Sequence, residues 1–262
     1  MNSERISELF EDLKRPVRNF AHRVGVKRKL SDEELVRKFG PIISYHGNRF
    51  DISHQRCNPL IGGSIIKGSY ESMELKMIRD YVLPTDRVVE LGACMGVTSL
   101  ALFDLVGRNN HLVIEADSRN WALARHMFDL NQKDVRIKFG ILFSGGSAVE
   151  EIAFASHTNA SSSSAYNREG SETVEHVPAF SFEQIIDDER ATVLVLDIEG
   201  GEYELFVQAH SFGSLRRIIL EAHPDIIGEA RMSEMLSALK ANGFEQILNH
   251  NNSRFLILER PA

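Results

Sequence analysis

From residue 87 onward the chain alternates short apolar runs with amphipathic stretches: RVVEL, VTSLALFDLV, HLVIEA, NWALARHMFDLN and VRIKFGIL. Strands covered on both faces read as unbroken apolar runs, and strand–helix alternation builds a parallel sheet through right-handed crossovers. Residues 156–172, SHTNASSSSAYNREGSE, interrupt the rhythm and are too polar and Ser-rich for core, so they read as a loop. The alternation then continues through VEHVPAF (strand), SFEQII (helix start, with Ser181 and Gln184 in capping positions), TVLVLD (strand) and EYELFVQA (helix). RRIILEA (strand) and MSEMLSALKANG (helix, ended by Gly243) follow. FEQILNH and RFLILER flank the turn NNS and must be antiparallel. The expected fold class is α/β: a Rossmann-like, doubly wound, mostly parallel sheet with a C-terminal antiparallel hairpin strand.

At 262 residues one full core is affordable, and the expected division is an N-terminal helical extension and cover (residues 1–68) ahead of a ligand-binding domain (residues 69–262). Ser31 and Glu34 of SDEE are spaced for a capping box, and Gly40-Pro41 stops that helix. Residues 42–56 suggest a short hairpin, and a helix runs from about Glu71 to Tyr81 before Pro84. Ile6, Leu9, Phe10, Leu13, Val17 and Phe20 fall at helical spacing beside a basic stretch from Lys14 to Lys29. Such a helix packs on the domain or on a second copy in a homo-oligomer, or makes peripheral contact with a membrane surface.

A net charge of −7 argues against a general nucleic-acid binder, which needs a surplus of Lys and Arg on one face. The expected partner is a small-molecule or glycan acceptor. Cys57 and Cys94 form no disulfide framework and no metal-ligand spacing. Without an apolar run long enough to span a bilayer or an apolar signal segment, a cytoplasmic location is expected.

The first strand and its turn, VVELGACMGVTSL, place Glu90 at the strand end and Gly92 and Gly96 inside the turn. Glycine lets backbone approach a ligand closely, and the next helix offers free N–H groups. The spacing E-x-G-x-x-x-G differs from the G-x-G-x-x-G of pyrophosphate-binding turns. A strand-end carboxylate repels a pyrophosphate but attracts an ammonium group, which suits the amino-acid tail of S-adenosylmethionine. A tight core turn with a solvated Glu90 is the alternative. Glu115, at the tip of the second strand, is placed to accept from ribose hydroxyls, with Asp117 beside it; a helix-start role is its alternative. Gly140, Ile141 and Leu142 stand where an adenine ring would lie, with plain core as the alternative.

The segments GSYESMELKMI, VVELGACMG, IEADSRN, SSSAY, VPAFSFEQII, LDIEGGEYELF and IILEAHP, over roughly residues 68–248, resemble the FkbM-type class I S-adenosylmethionine-dependent methyltransferases. Val195 stands where that family usually carries Lys, and IEADSRN replaces its Glu-Pro-Asn turn. The resemblance implies an O-methyltransferase, often acting on a sugar hydroxyl of a polysaccharide, glycolipid or secondary metabolite. It implies that Glu90, Gly92, Ala93, Met95 and Gly96 bind the methionine part of the cofactor. Glu115, with Ala116 and Asp117, then holds the ribose; Tyr70 and Glu71 close from the other side, with an ordinary helix N-terminus as their alternative; Asp197 faces the amino group and the methyl.

A sugar hydroxyl needs its proton drawn away, and the carboxylates of LDIEGGEY and the pair Glu221 and His223 are candidates at neighbouring strand ends. His223 or Glu199 is the expected base, with loop-bonding and turn-pinning as their respective alternatives. Glu202 is expected to favour the next helix N-terminus. No residue is assigned to a metal, although Asp197 or Glu199 with Glu221 and His223 is a set compatible with Mg2+ or Mn2+. A nicotinamide-dependent oxidoreductase and a non-catalytic interaction protein on the same fold are the competing readings.

Overall fold

The computed structural model describes residues 30–55, 57–145, 150–156, 173–250 and 254–261. The basic N-terminal stretch and the Ser-rich segment lie outside the described residues, apart from Ser156 at the end of a strand. Helix α1 (Asp32–Phe39) opens with the capping box: Ser31 Oγ accepts from the Glu34 amide, and the Glu34 carboxylate accepts from the Ser31 amide. A hairpin of β1 (Ile42–Tyr45) and β2 (Asn48–Asp51) turns through His46 and Gly47, both at positive φ, as a two-residue turn between twisted strands requires. Helix α2 (Pro59–Lys67) starts at the Asn58 cap, and α3 (Ser72–Tyr81) follows.

The alternating core comprises β3 (Val88–Leu91), α4 (Val97–Val106), β4 (His111–Glu115), α5 (Ser118–Leu130) and β5 (Ile137–Phe139). After a side excursion come α6 (Phe182–Glu189), β9 (Val193–Leu196), α7 (Glu202–Val207) and β10 (Arg217–Glu221). The chain ends with α8 (Pro224–Ile227), α9 (Glu229–Ala241), β11 (Glu245–His250) and β12 (Phe255–Glu259). One seven-stranded sheet results, in the order β11-β12-β10-β9-β3-β4-β5. Its β10-β9-β3-β4-β5 part is parallel, and β12 inserts antiparallel between β10 and β11.

Alternation along the strands divides the core. Val89, Leu91, Leu194 and Leu196 pack toward α6, α7 and α9, whereas Val88, Val193 and Val195 pack against Met77 and Ile78 of α3 and Leu102 of α4. Residues 30–67 share their core with the sheet, because Tyr45, Phe50, Ile52 and Ile61 pack with Val113, Leu123 and Met127. Gly68, the expected boundary, is the left-handed cap of α2.

The third strand-like segment, VRIKFGIL, is not one strand. Gly140, at φ +147°, breaks it into β5 and β6 (Ile141–Phe143); an added Cβ there would stand 2.5 Å from the Pro178 carbonyl oxygen and the Phe180 ring. Strand β6 leaves the main sheet and joins β7 (Glu151–Ser156) and β8 (Thr173–Ser181) in a second, three-stranded sheet beside the strand ends. VEHVPAF therefore belongs to this smaller sheet and not to the central one.

Candidate active site

A cavity of about 840 Å³ opens at the carboxyl ends of β3, β4, β9 and β10, between the first β-strand turn and the smaller sheet. This is the edge at which open α/β sheets bind ligands, and the volume suits a drug-sized or cofactor-sized molecule. Gly92, at φ +86°, crosses β9 so closely that an added Cβ would lie 2.1 Å from the Asp197 carbonyl oxygen. The turn is held from the side by Glu115, whose Oε2 accepts from the amides of Ala93 at 2.8 Å and Cys94 at 3.0 Å. Its Oε1 accepts from the Asp117 amide at 2.8 Å. Burial, only partly offset by these amides, raises the Glu115 carboxyl to about 7.

Glu90 is committed inward. Its Oε1 accepts from the hydroxyls of Thr98 and Ser99, and its Oε2 lies 2.8 Å from His111 Nε2, with Glu90 and His111 each about 1% exposed. It borders the cavity, and from the buried side its carboxylate fastens β3 to α4 and β4. The opposite wall is Tyr70 and Glu71. The Tyr70 hydroxyl lies 3.2 Å from Cys94 Sγ, and a Glu71 oxygen accepts from the Thr98 amide at the start of α4. Burial first, then the charges of Glu74 and Asp197, push Glu71 well above the usual carboxylate range.

The far end of the cavity is acidic. Asp197 and Glu199 emerge from β9, with Glu199 held at φ +52° ahead of Gly200. His223, past the end of β10, points Nε2 at both: 3.5 Å from Asp197 Oδ1 and 3.7 Å from Glu199 Oε2. Its Nδ1 lies 3.1 Å from Glu202 Oε1. Burial alone would lower His223, but the Glu202 hydrogen bond and the charges of Glu202, Asp197 and Glu199 outweigh it and raise the imidazole to about 9. Burial and the Glu221 charge push Asp197 up, opposed by His223. Glu221 accepts from Arg254 Nε at 2.7 Å, and burial together with its bond to Glu221 raises Glu74 to about 7.

The cavity thus gathers Tyr70, Glu71, Glu90, Gly92, Glu115 and Ala116 from the expected set, together with Ile141, Asp197 and Glu199. Ala93, Met95, Gly96, Asp117 and His223 do not line it. Met95 is fully buried in the core beside α5, and Gly96 is small because the Phe128 ring would meet its Cβ at 2.7 Å. Ala93 contributes its amide to Glu115, and Asp117 is the N-cap of α5, accepting from the amides of Arg119 and Asn120. His223 is 1% exposed and sits behind the two carboxylates, so the base expected there does not face the cavity. Glu202, expected merely to favour a helix start, is fully buried against His223. Glu221 is tied to Arg254 and falls outside the carboxylate–imidazole group. Asn120, Cys94 and Glu74 line the cavity without having been expected there.

A parallel sheet with a glycine turn after its central strand and carboxylates at the adjoining strand ends defines an α/β protein built to bind a nucleoside-type ligand. Residues 90–245, more than half of the chain, match the model of the Methyltransferase FkbM domain, and the chain belongs to that family. Among solved structures it is similar to a putative tRNA (m1A22) methyltransferase of Streptococcus pneumoniae in complex with S-adenosyl-L-methionine, at 12% identity over 72% of each chain and a TM-score of 0.42. It is also similar to a precorrin-6y C5,15-methyltransferase of Geobacter metallireducens, at 12% identity over 74% of this chain and 90% of that one, TM-score 0.44. Fibrillarin of Aeropyrum pernix, with natively bound S-adenosyl-L-methionine, aligns at 13% identity over 71% and 72%, TM-score 0.40. No curated protein matches.

S-adenosylmethionine is the cofactor that goes with this family, and the residues present fit it. The Gly92 cradle leaves no space for a side chain. Glu115 Oε1 keeps acceptor capacity beyond the Asp117 amide, and Asn120 and Ile141 extend the same wall. Among the described residues no helix is long and apolar enough to cross a membrane.

Proposed function

We propose that this methyltransferase transfers the methyl group to a hydroxyl oxygen of a neutral, hydroxyl-rich acceptor, a sugar or glycosylated metabolite. One observation carries the reading: Asp197 and Glu199 face the cavity that Gly92 and Glu115 also line, so acceptor-side carboxylates stand next to the cofactor cradle. When bound, S-adenosylmethionine supplies a methyl group already activated as a sulfonium. The protein's part is alignment and proton removal. Holding two reactants in line is worth up to roughly 7–11 kcal/mol, the largest contribution available to a chain that need not activate the electrophile.

Proton removal falls to Asp197 and Glu199, which accept the hydroxyl proton as the oxygen–carbon bond forms. His223 lies behind them on the buried side, its Nε2 3.5 Å from Asp197 and 3.7 Å from Glu199. The acidity of this end also supports the acceptor class. Arg254 is the cation that reaches the cavity among the described residues, and it is paired with Glu221, so an anionic acceptor would meet uncompensated carboxylates. The net charge of −7 points the same way, against a nucleic-acid acceptor.

Thermal shift tests the cofactor half: S-adenosylhomocysteine raises Tm, and NAD(P) does not. The reverse result would move the chain to the nicotinamide-dependent reading. A screen of neutral sugars, nucleic acids and peptides with labelled methyl donor tests the acceptor half; label in RNA or protein alone would overturn it.

A further inference from the structure

We propose that Asp197, Glu199 and His223 form a binding site for one divalent first-row cation, with Glu202 as the positioning residue behind the histidine. One carboxylate oxygen from each acid and one imidazole nitrogen lie within 4.8 Å of one another. Oxygen and nitrogen ligands bind such a cation at about 2.0–2.2 Å, so a shift of under about 1 Å closes the set. The present spacings of 3.5 and 3.7 Å to Nε2 are longer than the 2.7–2.9 Å typical of a charge-assisted hydrogen bond. The three groups surround a point more closely than they bond to each other.

Two further observations point to a ligand at that point. Asp197 Oδ1 is a buried oxygen without a hydrogen-bond partner, and it is the atom that faces Nε2. His223, 1% exposed, has its other nitrogen held by the fully buried Glu202, whose second oxygen also lacks a hydrogen-bond partner. A histidine whose far nitrogen is fixed by a carboxylate presents Nε2 in one tautomer and one direction, the arrangement found behind metal-bound imidazoles. Asp197, Glu199 and Glu202 also place three carboxylates around one imidazole, an arrangement whose negative charge a bound cation offsets. A mixed oxygen and nitrogen set favours Mn2+, Fe2+ or Zn2+ over Ca2+. The use of the cation, polarising an acceptor hydroxyl as its proton passes to the uncoordinated oxygen of Asp197 or Glu199, rests on the methyl-transfer reading; its binding does not.

Mn2+ is the probe, followed by loss of the free-ion paramagnetic resonance signal in the full chain without cofactor or acceptor. The wild type is expected to bind one Mn2+ per chain saturably. Glu202→Gln is expected to weaken it by about 10–100-fold, as loss of an outer-shell carboxylate does elsewhere. Asp197→Asn is expected to weaken it at least as much, and Glu221→Gln by less than about threefold. A thermal shift with S-adenosylhomocysteine, run on the same samples, reports whether each variant is folded. A wild type that leaves the signal free while still binding S-adenosylhomocysteine overturns the cation site alone. Saturable Mn2+ binding without any S-adenosylhomocysteine shift upholds the site and overturns the methyl-transfer reading. Equal affinity in wild type and Glu202→Gln removes Glu202 from its role.

Discussion

The α-carbon of Gly92 passes so close to Asp197 that a Cβ on the glycine would stand 2.1 Å from the Asp197 carbonyl oxygen, bringing the turn after β3 against the end of β9. Gly92 is also at φ +86°, where a side chain is strained before any contact is counted. Gly92→Ala is therefore expected to cost about 2–5 kcal/mol, strain and overpacking together, and to abolish S-adenosylhomocysteine binding. Urea midpoints and calorimetric titration measure the two effects. A variant as stable as wild type would show that the turn has room to move away from β9.

The Glu90 and His111 pair predicts a stability effect where a ligand contact was first expected. Removing one member of a buried pair strands the other, at about 3–5 kcal/mol. Glu90→Ala leaves His111 and the hydroxyls of Thr98 and Ser99 without their shared acceptor, and its Tm should fall steeply. Glu90→Gln keeps part of the hydrogen bonding and should fall less. If Glu90 mainly held the cofactor's amino group, Glu90→Ala would instead lose S-adenosylhomocysteine affinity at unchanged Tm.

These two residues show what the sequence could and could not disclose. Gly92, Glu115 and Asp197 were legible because each ends an apolar run, and strand ends of a parallel sheet converge on one edge whatever the loops do. Glu90 was legible as a position and not as a bond. Its partner His111 is 21 residues away and meets it only because β4 lies beside β3. Glu202 reads locally as a helix-start carboxylate, and no spacing reveals that the end of β10 brings His223 against it. The smaller sheet was hidden because VRIKFGIL reads as one strand-length segment, with Arg136 and Lys138 alternating with apolar residues, and Gly140 alone marks the break. Helix α2 had a readable signal in Asn58-Pro59, a cap followed by proline at the first turn, which PLIGGSIIK obscures with two glycines.

Glu74 gives the pH dependence. Its folded carboxyl is raised from 4.5 to about 7, so its contribution to stability is fully present below about 4.5 and is lost as pH rises through 7. Glu74→Gln keeps a donor toward Glu221 and removes the titration. Relative to wild type it should be more stable at pH 8, by an amount on the order of 2–3 kcal/mol, with the difference shrinking to near zero by pH 4.5. Denaturant unfolding at several pH values measures this; a constant difference across the range would mean that Glu74 is not the titrating group.

The break at Gly140 separates cofactor binding from global stability. Gly140→Ala would press a methyl group on the Pro178 carbonyl oxygen and the Phe180 ring, both 2.5 Å from its position, and would do so at φ +147°. The strain falls where β6 meets β8, and β6 carries Ile141, Leu142 and Phe143 into the cavity wall. Because β6 is hydrogen-bonded in the smaller sheet and not in the seven-stranded one, the wall can shift while the main sheet stays paired. S-adenosylhomocysteine affinity should fall at least about tenfold, about 1.4 kcal/mol, with the main unfolding transition moved by less than that energy. A large loss of stability with affinity retained in the folded fraction would instead make β6 part of the cooperative core and not a wall of the binding site.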